Sequence, residues 1–86
     1  MKVNRFKSIG IGTDPLKVEG QFVIEEHGIT IEFDHSFSVK PFRVMMRKKE
    51  HISWIGFYGE GTYSYSGPFQ IENAEPAAKT VYLKRI

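Results

Sequence analysis

The sequence predicts an all-β fold: a small antiparallel meander of six or seven strands forming a barrel or a compact sandwich. Three observations predict it. Apolar side chains recur with period two along nearly the whole chain. Turn residues such as Gly12, Asp14-Pro15, Gly28 and Gly59 to Gly61 separate the alternating runs. No stretch sustains the 3.6-residue period of an amphipathic helix.

The first strand is expected over Lys2 to Ile11, interrupted by Gly10 and Gly12. GTDPLK then turns the chain, with room for a single 3₁₀ turn at Asp14-Pro15. Val18 to Glu26 alternates Val18, Gly20, Phe22 and Ile24 against Glu19, Gln21, Val23 and Glu25. His27-Gly28 breaks the run, and Ile29, Ile31 and Phe33 alternate against Thr30, Glu32 and Asp34. Two alternating runs about a short glycine-containing turn predict a hairpin.

Phe37 and Val39 continue the inward parity of Ile29 to Phe33. Pro41 cannot donate to a ladder and marks a strand start, an edge or a bend. Phe42, Val44 and Met46 then alternate with Arg43, Met45 and Arg47. A helix over VMMRKKEH competes, since those residues have fair helix propensity, but the β-branched and aromatic flanks favour a strand.

The stretch ISWIGFYGEGTYSYSGPFQI, residues 52–71, holds six of the twelve aromatic residues and four glycines. It reads as a second hairpin closed by a two-residue loop, Gly59-Glu60 or Glu60-Gly61. Either loop sets even residues of the first strand opposite odd residues of the second. Ile52, Trp54, Gly56, Tyr58, Tyr63, Tyr65, Phe69 and Ile71 then share one face, which reads as core, with rings covering cross-strand glycines. Ile55 and Phe57 fall on the other face, among Ser53, Thr62, Ser64 and Ser66. AEPAAK is a loop or one helical turn, and TVYLKRI is the closing strand.

The totals restrict function more than they define it. Residues 1–86 make one domain, with a core that leaves a thin stability margin of about 5 kcal/mol. Such domains often gain stability by associating, so a homo-oligomer is expected. There is no cysteine, which excludes disulfides and thiolate metal sites and fits a cytoplasmic setting. The opening MKVNRFKSIGIG lacks the apolar run of a secretory signal. No apolar run exceeds three residues, so no membrane partner is expected.

No catalytic constellation emerges. Asp34-His35-Ser36 has the residue types of a triad, but neighbouring strand residues point to opposite faces. His27, His35 and His51 lack the spacing that sets two imidazoles on one metal. Gly10-x-Gly12 has no following Lys or helix to cradle phosphate. The chain is therefore read as non-enzymatic, with no metal and no cofactor.

Charge is segregated. Val18 to Val39 carries five acids and no base, while Lys40 to Lys49 carries Lys40, Arg43, Arg47, Lys48 and Lys49 and no acid. If these segments are neighbouring strands, cross-strand pairs such as Glu32 with Arg43 account for the pattern.

Three functions are compatible with these residues. The leading one is an interaction module that self-associates and binds a protein partner through an exposed apolar face of Ile55, Phe57, Val23 and Met45. The alternative is a single-stranded nucleic-acid binder with a basic edge of Arg43, Arg47, Lys48 and Lys49 beside Trp54, Tyr58 and Tyr63. The third is a small-molecule barrel whose mouth is lined by His35, Tyr58, Tyr63 and Tyr65.

Overall fold

The computed structural model describes residues 3–12 and 14–86. It is nearly all β, an antiparallel sheet curled into a half-barrel with one short helix. Eight strands form, rather than six or seven: β1 (Asn4–Phe6), β2 (Ser8–Ile11), β3 (Asp14–Leu16), β4 (Gly20–Glu25), β5 (Gly28–Phe33), β6 (His51–Tyr58), β7 (Thr62–Glu75) and β8 (Thr80–Arg85). Their order across the sheet is β1-β4-β5-β8-β7-β6-β2-β3.

The extra strands come from two places. The first expected strand is split at Lys7, whose amide donates to the Tyr58 carbonyl at 2.7 Å. Its first half pairs with β4 and its second with β6. Lys2, the start of that expected strand, lies outside the described residues. The expected turn at Asp14-Pro15 is instead the short strand β3, paired as Gly10 with Pro15. Pro15 is tolerated there because β3 is an edge.

The expected β4–β5 hairpin forms, turning at Glu26-His27 rather than His27-Gly28, with Phe22 opposite Ile31 and Gly20 opposite Phe33. Gly28 is required by close approach, because a Cβ on it would run into the Leu83 carbonyl of β8. Of the AEPAAK segment, Ala74 and Glu75 end β7 and Pro76 to Lys79 form the turn to β8.

Residues 36–47 correct the sequence expectation. Ser36–Val39 is a 3₁₀ turn, and Lys40–Arg47 is an α-helix, α1, rather than a strand. Pro41 sits in the first helical turn, where its missing N–H has no intrahelical acceptor to lose. Val39 and Phe42, three apart, are buried, and Met45 and Met46 pack on the same core. Phe42 meets Phe33 with ring centroids 5.5 Å apart. The irregular turn throws Phe37 outward, to 62% exposure, against its expected inward parity.

The helix ends in a Schellman motif. The Lys49 amide donates to the Met46 carbonyl at 3.1 Å, and the Glu50 amide to the Met45 carbonyl at 3.0 Å. Lys49 takes φ +58, the left-handed position usually given to glycine.

The β6–β7 hairpin has a different register from either expected one. Tyr58 pairs with Thr62, Phe57 with Tyr63, Gly56 with Ser64, and Ile55 with Tyr65. The loop is the three-residue Gly59-Glu60-Gly61, so odd faces odd. One residue more in the loop shifts the register by one position, so β7 keeps its expected faces while Trp54, Gly56 and Tyr58 exchange faces with Ile55 and Phe57. Ile55 and Phe57 are therefore core, with no exposure, and not an outer patch. Trp54 and Tyr58 face outward. An irregularity between Ile52 and Trp54 returns Ile52 to the core.

The core is a single cluster built on Phe6, Phe22, Phe33, Phe57 and Phe69 with Ile or Val from β2, β5, β6, β7 and β8. Phe22 and Phe57 stack at 3.9 Å, and Phe6 meets Phe33 edge-on at 6.0 Å.

Candidate nucleic-acid interface

The outward half of α1 holds its cations. Burial of Phe42, Met45 and Met46 leaves Lys40, Arg43, Val44 and Arg47 on the opposite side, at the i, i+3, i+4, i+7 spacing that aligns side chains along one helix face. These four residues and Pro76 line a cleft of about 380 Å³. No acid lines it. Lys48 and Lys49 continue the run, exposed, beyond the helix end.

Cross-strand neutralisation does not occur. Glu32 accepts a hydrogen bond from Gln21 Nε2 at 3.0 Å instead. Arg43 belongs to the helix and has no place in a ladder with it. Among the described residues, the ion pairs are Arg5 with Asp34 and His27 with Glu26, so none of the five cations from Lys40 to Lys49 is in one. Lys49 does share a second cleft, of about 470 Å³, with Glu50, His51 and Glu72, and there its field is weaker.

Arg5 and Asp34 form a bidentate pair, Nη1 to Oδ1 at 3.0 Å and Nη2 to Oδ2 at 2.8 Å. Hydrogen bonding to Arg5 is the main cause that holds the Asp34 carboxyl below the usual range. This pair ties β1 to the end of β5. It also occupies the Asp of Asp34-His35-Ser36, while His35 stacks on Phe37 at 5.4 Å.

Trp54 and Tyr58 lie over a floor of small residues. Their ring ends converge above Gly56, where an added Cβ would stand 2.6 Å from Tyr58 Oη and 2.9 Å from Trp54 Cη2. Gly10, paired with Gly56 on β2, lies under the same rings. Rings do cover glycine here, but on the outer face. Trp54 and Tyr58 are half-buried, with one side against the sheet and the remainder open. His51 begins β6 only two residues after Lys49, so the cationic segment leads directly into the aromatic row. Lys49 and Trp54 stand about 16 Å apart along extended chain.

The expected site residues separate into distinct places. Arg43, Arg47, Lys48 and Lys49 share α1 and its end. Trp54 and Tyr58 share the outer face of β6. Tyr63 lies with Tyr65 on the inner face of β7, edge-on to Phe22 at 5.6 Å, and does not join them. Burial pushes the Tyr65 phenol up, with a smaller effect from Tyr63. His35, Tyr58 and the Tyr63–Tyr65 pair therefore line no common mouth. Val23 sits half-buried on the outer side of β4, Met45 packs under α1, and with Ile55 and Phe57 buried the four form no shared face. Lys40 completes the cationic cleft; its i, i+3, i+7 relation to Arg43 and Arg47 was available in the sequence once that segment is read as helix.

A cleft of about 680 Å³ lies between α1 and the β2–β3 ribbon, lined by Ile11, Leu16, Pro41, Val44, Met45, Glu50 and His51. No helix is long and apolar enough to cross a membrane among the described residues. No protein-family model matches the chain, and no curated protein and no solved structure is significantly similar to it.

Proposed function

We propose that this chain is a non-catalytic module that binds single-stranded nucleic acid. Lys40, Arg43, Arg47, Lys48 and Lys49 hold phosphates, and Trp54 and Tyr58 stack bases. The observation that carries the reading is the cleft where Lys40, Arg43 and Arg47 converge without an acid. Unneutralised cations clustered on one helix face attract a polyanion by releasing its counterions. Two outward rings reached from the same segment supply what a duplex, whose bases are already stacked, does not use. The left-handed Lys49 adds support, because a side chain is kept where glycine fits better.

Fluorescence anisotropy of labelled single-stranded and double-stranded oligonucleotides at about 50 and 200 mM salt tests it. Five phosphate contacts on a single strand give a slope of about −3.5 in log affinity against log salt, or roughly 100-fold weaker binding across that range. Replacing Arg43, Arg47 and Lys48 together by Ala reduces the slope by about 2. Trp54→Ala lowers affinity by about 1–3 kcal/mol without changing the slope. No binding at the lower salt, or binding indifferent to these substitutions, overturns the reading.

A further inference from the structure

We propose that two copies of this chain associate by antiparallel pairing of the Thr62–Ser66 edges of β7 about a two-fold axis at Ser64. The reasoning starts from which backbone groups of β7 have partners. β7 is long, and β8 pairs with it only from Phe69 onward. Among the described residues, its strand neighbour from Thr62 to Ser66 is β6 alone.

The direction of the spare groups follows from three bonds. The Tyr58 carbonyl is turned away from β7, to the Lys7 amide at 2.7 Å. The pair of Tyr58 with Thr62 is therefore a non-hydrogen-bonded one, and the N–H and C=O of Thr62, Ser64 and Ser66 point away from β6. The Ser66 carbonyl confirms the direction by accepting from Arg85 Nη1 at 2.7 Å, and the Pro68 carbonyl by accepting from the Ile86 amide at 3.0 Å. Among the described residues, no backbone group meets Thr62, Ser64 or the Ser66 amide on that side.

The edge is protected only by its shortness and by the Arg85 guanidinium at the Ser66 carbonyl. No charge, proline or bulge falls within Thr62–Ser66. Its side chains are complementary to themselves under a two-fold operation. On the outer face, Ser64 meets Ser64 of the second copy and Thr62 meets Ser66, hydroxyl to hydroxyl. On the inner face, Tyr63 meets Tyr65 in a non-hydrogen-bonded pair, where side chains come closest. The half-exposed rings of the two tyrosines are thereby covered.

Length favours a second copy over an unrelated extended peptide. A strand laid on this edge has room only as far as Ile86, which is already bonded at Pro68. The β7 strand of a second copy turns away at Gly61, just where that space ends. About four backbone hydrogen bonds form across the axis, because the Ser66 carbonyl of each copy is already held by Arg85. The surface is small for a stable dimer, so the dissociation constant is expected at roughly tens of micromolar.

Sedimentation of the full chain over a concentration series, joined to amide hydrogen exchange, tests the proposal. The chain is expected to shift from monomer to dimer. Amides of Thr62, Ser64 and Ser66 should slow with concentration, while those of Tyr63 and Tyr65, already bonded to β6, stay constant. Ser64→Lys sets two like charges opposite each other at the axis and weakens association at least tenfold. Ser64→Pro removes an N–H that β6 does not use and has the same effect. A chain that stays monomeric at about ten times the expected constant overturns the proposal. So does a dimer that Ser64→Lys leaves intact. Nucleic-acid affinity of the monomer is read separately and stands or falls independently.

Discussion

At the scale of the residue, Lys49 and Asp34 each hold a position that chemistry alone explains. Lys49 closes α1 at φ +58. A non-glycine side chain in this region costs about 1–2 kcal/mol. Lys49→Gly is expected to raise stability by about 0.5–1 kcal/mol in urea denaturation, since glycine also has more unfolded-state freedom to lose. The same change lowers the salt slope of oligonucleotide binding by about 0.7. Lys49→Ala separates the two effects, because it removes the charge and keeps the strain. Asp34 is held by Arg5, which depresses its folded pKa. The interaction is fully present above the ordinary carboxylate pKa and is lost as pH falls through the lowered folded value. The stability gap between the wild-type chain and Asp34→Asn should thus be largest near neutrality, close as the solution is acidified, and shrink in salt. Denaturation curves along a pH series measure it. The sequence offers Lys49 as one cation in a run. Its strain is a backbone property, set by where the helix stops.

At the scale of the element, periodicity located nearly every strand, and the errors have local causes. The β4–β5 hairpin was legible because its alternation is unbroken and its turn short. The β6–β7 hairpin was legible as a hairpin, but Gly59-Glu60-Gly61 accommodates a loop of two or three residues equally well. That one residue decides whether Phe57 or Tyr58 is core. Ile55 beside Phe57 was the available signal for the observed register, since those two are more apolar than Trp54 and Tyr58. Residues 40–47 misled for another reason. Phe42, Val44 and Met46 fit period two, while Val39, Phe42, Met45 and Met46 fit a helical stripe equally well. The two readings differ measurably. In a strand, Phe42 and Val44 share a face. In α1, Phe42 is fully buried and Val44 is 46% exposed. Phe42→Ala should cost about 3–5 kcal/mol, and Val44→Ala about 0.5 kcal/mol or less. Equilibrium unfolding of both variants checks it.

At the scale of the whole molecule, the fold class was legible and the placement of charge was not. Segregation of acids and bases looked like strand pairing, yet the bases went to a helix and left the acids of β4 and β5 to other partners. No local rule reports which segments become neighbours in a sheet of order β1-β4-β5-β8-β7-β6-β2-β3. The segment Asn4–Ile11 shows what that order demands. Its first half pairs with β4 and its second with β6, at opposite ends of the sheet. The second of these pairings is among the most distant in the sequence, joining Ser8 to Tyr58. Bringing such remote positions together has a high loop-closure entropy, so folding is expected on the slow, millisecond-to-second side typical of β-rich domains. Residues synthesised first therefore find their last partners only after most of the chain exists. Until then β2 keeps an open side, and mispairing with another nascent chain competes with closure.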